Sequence, residues 1–209
     1  MPNPALASGA PRRTQAERRA ETGRRLLEAA QRLIAADGSG ALSLQKVGEE
    51  AGYSRGIVTY QFGSKDALLR AVILDAQAAF AVPPTEATGL DLLMLTIETY
   101  LVQLQRLRPT GQAFLLLWAE AVGSEPSLRS LFTEREAWFR DVLAGQVRDG
   151  TNEGSIRADA DPPAVAVAIL GMLRGVGLDL ILTPGAAPPE EISTSIVTML
   201  QAGLAARPG

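Results

Sequence analysis

Residues Gly52 to Gly56 match the pattern G-x-S-x-G, the spacing that places a nucleophilic serine on a strand-to-helix turn in hydrolases. That chemistry needs a base to accept the serine proton, and histidine, the commonest such base, is absent from all 209 residues. A helical pattern, not a strand, precedes the motif. A glycine that ends one helix and a serine that begins the next explain the same residues without catalysis.

The composition excludes several classes of function. The chain contains neither cysteine nor histidine, which rules out disulfides, thiolate and imidazole metal sites, and triads that depend on either residue. We therefore expect no enzymatic activity, no metal and no cofactor. The absence of cysteine fits a reducing compartment, and residues 1–10 lack the pattern of a signal peptide, so the sequence predicts a cytoplasmic protein.

One stretch, residues 164–182, is apolar and long enough to cross a bilayer. Arg174 and Asp179 interrupt it, and each would cost about 2.5–3.5 kcal/mol near a bilayer centre. We interpret the stretch as a buried helix and expect no membrane partner.

Polar side chains near Ser54 suit the chemistry of nucleic-acid recognition. Arginine reaches O6 and N7 of guanine, glutamine pairs with adenine, and threonine contacts a thymine methyl group or a phosphate. We expect Arg55, Thr59 and Gln61 to discriminate bases. The residues expected to neutralise phosphates are Arg12, Arg13, Lys46, Tyr60 and Lys65. The whole candidate set for double-stranded DNA is Arg12, Arg13, Ser43, Gln45, Lys46, Ser54, Arg55, Thr59, Tyr60, Gln61 and Lys65.

Charge is distributed unevenly along the chain. Residues 1–80 contain 11 basic and 8 acidic residues, whereas residues 81–209 contain 9 basic and 15 acidic residues. The net charge of −3 for the whole chain conceals this difference. A basic front part on an acidic body indicates that only the front part meets a polyanion.

The elements that position these residues are predicted to be helices. The first helix begins at the capping box of Thr14 and Glu17 and ends at Gly38. Two short helices follow, starting at Ser43 and Ser54, and the tight turn between them is typical of a helix-turn-helix. In the second of these, Ile57, Val58 and Phe62 are expected to face inward.

A fourth helix starts at Ser64, and Pro83-Pro84 is the expected boundary between two parts of the chain, residues 1–80 and residues 81–209. Beyond the boundary the apolar periodicity predicts only helices, over residues 90–107, 112–122, 126–149, 162–182 and 190–206, with residues 150–154 as a loop. The sequence therefore predicts an all-α chain of about nine helices.

The stretch Leu44 to Val72 resembles the signature of TetR-type transcriptional regulators, most clearly in Val47–Gly56 and in the aromatic-Gly-Ser-Lys run Tyr60–Leu69. Residues Gly154–Arg157 and Asp159–Pro162 also resemble the loop before the eighth helix of many members. The resemblance implies a three-helix DNA-binding unit, a fourth linking helix, and an all-helical body that dimerises and binds a small-molecule effector. The family usually has a tyrosine where this chain has Thr59, which shifts the expected phosphate contacts to Tyr60 and Lys65.

In the body, large and adaptable side chains are the candidates for lining an effector pocket, although core packing explains the aromatic ones equally well. They are Tyr100, Phe114, Trp118, Trp138, Phe139, Met172 and Arg174. A charge on an apolar helix must be paired or face water. Arg174 and Asp179 therefore point to a polar ligand, to partners in each other's neighbourhood, or across a dimer seam.

The last two predicted helices are the candidates for a dimer interface. Glycine inside a helix costs about 0.5–1 kcal/mol relative to alanine, so Gly171 and Gly175 indicate close approach of another helix or room for a ligand. The apolar side of the final helix would complete a four-helix interface. The expected contacts are Gly171, Gly175, Ile192, Ile196 and Leu200.

These observations predict a homodimeric, sequence-specific DNA-binding regulator. A dimer would present two recognition helices to successive major grooves, so a palindromic operator is expected. The family resemblance adds the expectation of repression, relieved when a small molecule binds the body. The alternative is an all-helical small-molecule-binding protein or enzyme whose basic N-terminal part binds a protein instead of DNA.

Overall fold

The computed structural model describes residues 14–106, 108–123, 126–185 and 188–206. Arg12 and Arg13 lie outside the described residues. Within them the chain forms nine helices: α1 (Gln15–Asp37), α2 (Leu44–Ala51), α3 (Arg55–Phe62), α4 (Lys65–Ala79), α5 (Gly89–Arg106), α6 (Arg108–Val122), α7 (Pro126–Glu153), α8 (Pro162–Leu182) and α9 (Pro189–Leu204). An isolated bridge between Ile156 and Ala205 is the only strand-like pairing in these ranges. The predicted all-α class is confirmed.

Side-chain caps fix where several helices begin. Thr14 and Glu17 form the expected capping box at the start of α1. The Ser43 and Ser64 hydroxyls accept backbone N–H bonds in the first turns of α2 and α4. Ser54 occupies the same position before α3, but its hydroxyl makes no cap bond.

Two helix boundaries lie four residues from their predicted positions. Helix α6 begins at Arg108, four residues before the predicted start, because proline at position 109 is tolerated in a first helical turn. Helix α7 continues through Gly150 to Glu153. A Cβ at Gly150 would lie 2.6 Å from Cδ1 of Ile156, so the missing side chain lets the chain fold back onto the helix. The helix stops at Gly154, where φ is 81°.

One continuous apolar core joins the front part of the chain to the body. Helices α1 and α4 pack on α6, α7 packs on α5, α6 and α8, and α9 packs on α5. Polar bonds reinforce the contact between α1 and α6. The Thr110 hydroxyl donates to Oε1 of Gln31 at 2.9 Å, and Nε2 of Gln112 donates to the carbonyl of Ala35 at 3.0 Å. Residues 81–88, around the predicted boundary, are non-helical and connect α4 to α5.

Among the described helices, α8 is long and apolar enough to cross a membrane, with a mean hydropathy of 2.0. In this fold its inward side, including Ile169 and Leu173, lies in the core, and Arg174 is buried among protein partners. Its outward side carries small and apolar residues, including Gly171 and Gly175. Core packing therefore accounts for the apolar character of one side of the helix.

Candidate nucleic-acid interface and helical body

A close backbone contact sets the angle between α2 and α3. The N–H of Tyr53 donates to the carbonyl of Gly48 at 2.7 Å, and a Cβ at Gly48 would come within 2.7 Å of the Tyr53 carbonyl oxygen. Gly52 adopts the left-handed conformation, with φ 76° and ψ 27°, that this turn requires. The turn has no room for a side chain at Gly48, which fixes how α3 is presented.

Helix α3 buries one narrow stripe and exposes the rest. Val58 is completely buried and Phe62 is half-buried. The predicted DNA-binding residues Ser54, Arg55, Thr59 and Tyr60 are all exposed, Tyr60 by 72%. The prediction that Ile57 faces inward was wrong: it is 40% exposed, because it lies about 100° around an eight-residue helix from Val58.

The exposed side of α2 borders this face. Ser43, Gln45 and Lys46 are exposed, and Nε2 of Gln45 donates to Oε1 of Glu49 at 2.9 Å. Within the part of the chain that the structure describes, neither Lys46 nor Arg55 forms an ion pair. These two cations are therefore available to an external anion.

Two predicted DNA-binding side chains make contacts inside the protein. The amide of Gln61 is half-buried against α1, where a Cβ at Gly23 would lie 2.7 Å from it. The ammonium of Lys65 donates to the carbonyl of Ser39 at 2.7 Å. Gln61 thus packs against Gly23 of α1, and Lys65 holds the start of α4 against the loop after α1.

Most arginines of α1 are neutralised locally. Glu21 accepts bonds from Arg24 and Arg25, which lower the pKa of its carboxyl group, and Arg32 pairs with Glu50 at 2.8 Å. Arg19 is different: its guanidinium carbon lies 5.5 Å from the centre of the Tyr60 ring. It borders a groove of about 510 Å³ between α1 and α3.

The sequence-based prediction missed Arg19 as part of this surface. No acidic residue stands three or four positions from it on α1, so it lacks the local partner that Arg24 has. That spacing is the signal that would have identified it.

In the body, three of the predicted pocket residues form one buried aromatic cluster. Tyr100 and Phe114 are completely buried, and the Tyr100 ring centre lies 6.3 Å from that of Phe139. Phe80 contacts both Tyr100 and Phe114, at 4.9 and 5.7 Å. These rings serve as core. Trp118 and Met172 are half-buried, and Trp138 is 51% exposed.

Arg174 completes this cluster with its charge compensated inside the protomer. It is 2% exposed, donates to the Tyr100 hydroxyl, and forms an ion pair with Glu136 at 2.7 Å. Burial raises the pKa of the Tyr100 hydroxyl, so Tyr100 stays neutral beside it. Asp179 faces solvent instead.

A second buried arginine, Arg135, was missed. It is 7% exposed, and its guanidinium carbon lies 5.0 Å from the centre of the Phe114 ring. Burial, and then repulsion by Arg174, lower its pKa to about 10, which leaves it charged at neutral pH. Its place in the apolar series Leu128, Phe132, Arg135, Phe139, with helical spacing of three and four residues, was the available signal.

The predicted dimer-interface residues divide into two groups. Gly171 and Gly175 are exposed, and a Cβ at either would meet nothing within 4 Å. Ile192 and Leu200 are half-buried, whereas Ile196 lies in the protomer's own core. Exposed apolar side chains also lie on these two helices, Val167 and Leu182 on α8 and Met199 on α9.

No group of three or more acidic side chains is placed to hold a metal ion within the described ranges.

The two short helices, the tight glycine turn and the exposed α3 face define a helix-turn-helix DNA-binding protein with a helical body. Residues 26–72 match the bacterial regulatory proteins of the tetR family, and residues 90–205 match the C-terminal part of BetI-type transcriptional repressors. The chain belongs to the TetR family of transcriptional regulators.

Individual relatives agree with this assignment. The chain is 25% identical over 158 residues to the HTH-type transcriptional regulator UidR of Escherichia coli K12, covering 75% of this chain and 80% of UidR. A transcriptional regulator from Saccharomonospora viridis, crystallised with choline, is 22% identical, with a TM-score of 0.75 over 90% of this chain and 100% of that one. A TetR-family regulator from Rhodococcus sp. is 21% identical, with a TM-score of 0.73 over 88% and 98%. The predicted function, a DNA-binding transcriptional regulator, is confirmed.

Proposed function

We propose that the protein is a homodimeric repressor that binds a palindromic operator through α3 and leaves it when a small molecule binds the helical body. The observation that carries this proposal is the exposed polar face of α3, which includes Arg55 and is fixed by the closed turn at Gly48. Membership of a family of regulators argues against the alternative of a helical enzyme or carrier.

The α3 face supplies the proposed base contacts. Arg55 and Thr59 project from it, and a bidentate arginine–guanine pair is the commonest specific contact in the major groove. Lys46 and Tyr60 are assigned to phosphates, together with Arg12 and Arg13 from outside the described residues. The flanking polar side chains that complete the surface are Ser43, Gln45 and Ser54. Gln61 and Lys65 are assigned the positioning of α3 and α4.

A second copy of the chain is proposed to cover the outward faces of α8 and α9. The open space around Gly171 and Gly175 admits another helix, and exposed Val167 and Met199 would lose contact with water there. Such a dimer presents two α3 helices to successive major grooves, roughly 34–36 Å or a multiple of that apart. This spacing is the reason for expecting a palindromic operator.

Helix α6 offers a route from the body to the DNA-binding part. Glu120, near its end, accepts bonds from the backbone N–H and the hydroxyl of Ser39, and the Ser39 carbonyl accepts from Lys65. A ligand that favours another position of α6 would therefore shift the front part of the chain and disfavour the DNA-bound form. The choline complex of the Saccharomonospora viridis regulator supports a small-molecule site in this fold.

The test is binding to a labelled duplex from the region upstream of the protein's own coding sequence, measured by fluorescence anisotropy with competitor DNA. We expect retention against competitor and an association constant that falls log-linearly with salt, with a slope of about −0.9 for each phosphate contacted. Equal affinity for a scrambled duplex, or a flat response to salt, would favour the helical protein-binding alternative.

A further inference from the structure

A cavity of about 330 Å³ lies between α4 and α7, at the edge of the aromatic core. Its apolar walls include Ile73 of α4 and Leu131 of α7. Leu74 and Trp138, which also line it, are 56% and 51% exposed, so apolar side chains reach its opening beside the exposed side chains of Arg70 and Glu134. An apolar surface of this kind, left in contact with water, suits the hydrocarbon part of a ligand.

The cavity also carries a buried cation that lacks a partner. Arg135 lines it, and the buried Nε and Nη1 atoms of Arg135 have no hydrogen-bond partner in the described part of the chain. Buried polar groups are almost always paired, and an unpaired buried charge is costly. A group of this kind in a cavity wall is explained if a ligand supplies the partner.

The charges around Arg135 show what that ligand must carry. Arg135 and Arg174 both lie 5.0 Å from the Phe114 ring, and Glu136 is the acidic residue that pairs with Arg174. The buried cluster therefore has an excess of one positive charge. Arg70 and Glu134, which carry opposite charges, also line the cavity, so together they leave this excess unchanged. A cationic ligand would be repelled here, and a neutral one would leave the guanidinium uncompensated.

We propose that the cavity between α4 and α7 binds an organic carboxylate, with the carboxylate on Arg135 and an apolar body against Leu74 and Trp138. The planar guanidinium fork matches a carboxylate with two parallel hydrogen bonds. This inference rests on the proposed function, since it names the chemical class of the effector. It also gives that effector a direct contact with α4, which follows α3 after Gly63 and Ser64.

The unaltered protein provides the first test, by thermal denaturation with matched acids and amides. The probes are octanoate and 4-phenylbutyrate, each compared with its primary amide. We expect the acids to raise Tm with increasing concentration, because a ligand that binds only the folded state stabilises it, and we expect the amides to have no such effect. Amides that stabilise as well as the acids would overturn the proposal.

Substitutions on α7 test whether Arg135 is the residue that binds the carboxylate. In Arg135→Met the affinity for the acids should fall about 10–100-fold, the effect of losing hydrogen bonds to a charged group. The ligand-free variant should also melt at a higher temperature than the parent, because an unpaired buried charge is replaced by an apolar side chain. Arg148→Met, at an exposed position on the same helix, is the control and should respond to acids as the parent does.

Arg135→Lys keeps the charge but not the fork, and should bind the acids more weakly than the parent. This variant replaces Arg135→Met in the binding test if Arg135→Met does not fold. A full response to acids in either Arg135 variant would contradict the assignment of Arg135.

A parallel titration of the protein–duplex complex separates this inference from the proposed function. If the acids bind through Arg135 and release the duplex, both stand. If they bind through Arg135 and the duplex stays bound, the carboxylate site stands and release by this ligand class fails. If only neutral or cationic compounds release the duplex, the proposed function stands and the carboxylate site is wrong.

Discussion

The outer face of α3 and the interior between α7 and α8 both depend on arginine, but in opposite surroundings. Arg55 stands in water on a helix of eight residues, where an uncompensated charge costs little and is available to a partner. Arg135 and Arg174 are both buried, and the carboxylate of Glu136 pairs with Arg174. An exposed arginine needs no explanation in the free protein, whereas a buried one must be compensated by the fold or by a ligand.

The largest expected effect lies in the interior. Glu136→Gln removes the carboxylate that pairs with Arg174 and leaves two buried guanidinium groups uncompensated. We expect the free energy of unfolding to fall by about 3–5 kcal/mol, measured by urea denaturation. Asp141→Asn, at an exposed position on the same helix, is the control and should change it by less than about 0.5 kcal/mol. Equal losses in the free energy of unfolding would show that removing the buried carboxylate costs no more stability than removing an exposed one.

At the DNA face the expected effect is on binding. Arg55→Ala should lower affinity for the operator duplex by about 1–3 kcal/mol and reduce the preference over a scrambled duplex. Lys46→Ala should weaken binding to both duplexes alike and reduce the salt slope by about 1. Anisotropy titrations at several salt concentrations distinguish the two. Identical behaviour of the two variants would mean that Arg55 does not read bases.

The smallest expected effect compares two serines that stand before helices of the DNA-binding part. Ser43→Ala removes a hydroxyl that accepts the N–H of Lys46 at 3.2 Å, and should cost about 1 kcal/mol of stability. Ser54→Ala removes a hydroxyl that makes no cap bond, and should cost a few tenths of a kcal/mol at most. Thermal denaturation measures both. A larger loss at Ser54 would contradict the assignment of its hydroxyl to DNA.

Local features of this fold were predictable from sequence because their causes lie within a few residues. The capping box at Thr14, the serine caps at Ser43 and Ser64, and the glycine turn between α2 and α3 each depend on neighbours in the chain. The end of α7 was not predictable in this way. Gly150 looks like a helix stop, but its role is to admit Ile156, and only the folded chain shows that contact.

In the candidate site, too, only the features whose causes lie within a few residues were predictable from the sequence. Exposure of Arg55 and Thr59 followed from the buried stripe of a short helix. The contact of Lys65 with Ser39 spans 26 residues, so no local pattern indicated it. Arg135 was missed because an arginine in an apolar series was not treated as a core residue, although its spacing placed it there. Whether a charged side chain is buried depends on tertiary packing, and the sequence spacing gives only its place on the helix.

A hydroxyl-radical footprint of the protein on its upstream DNA tests most directly whether paired α3 helices read an operator. We expect two symmetry-related protected tracts whose centres are separated by about 10–10.5 base pairs or a multiple of that, and weaker protection with Arg55→Ala. A single protected tract, or uniform protection unaffected by Arg55→Ala, would contradict it.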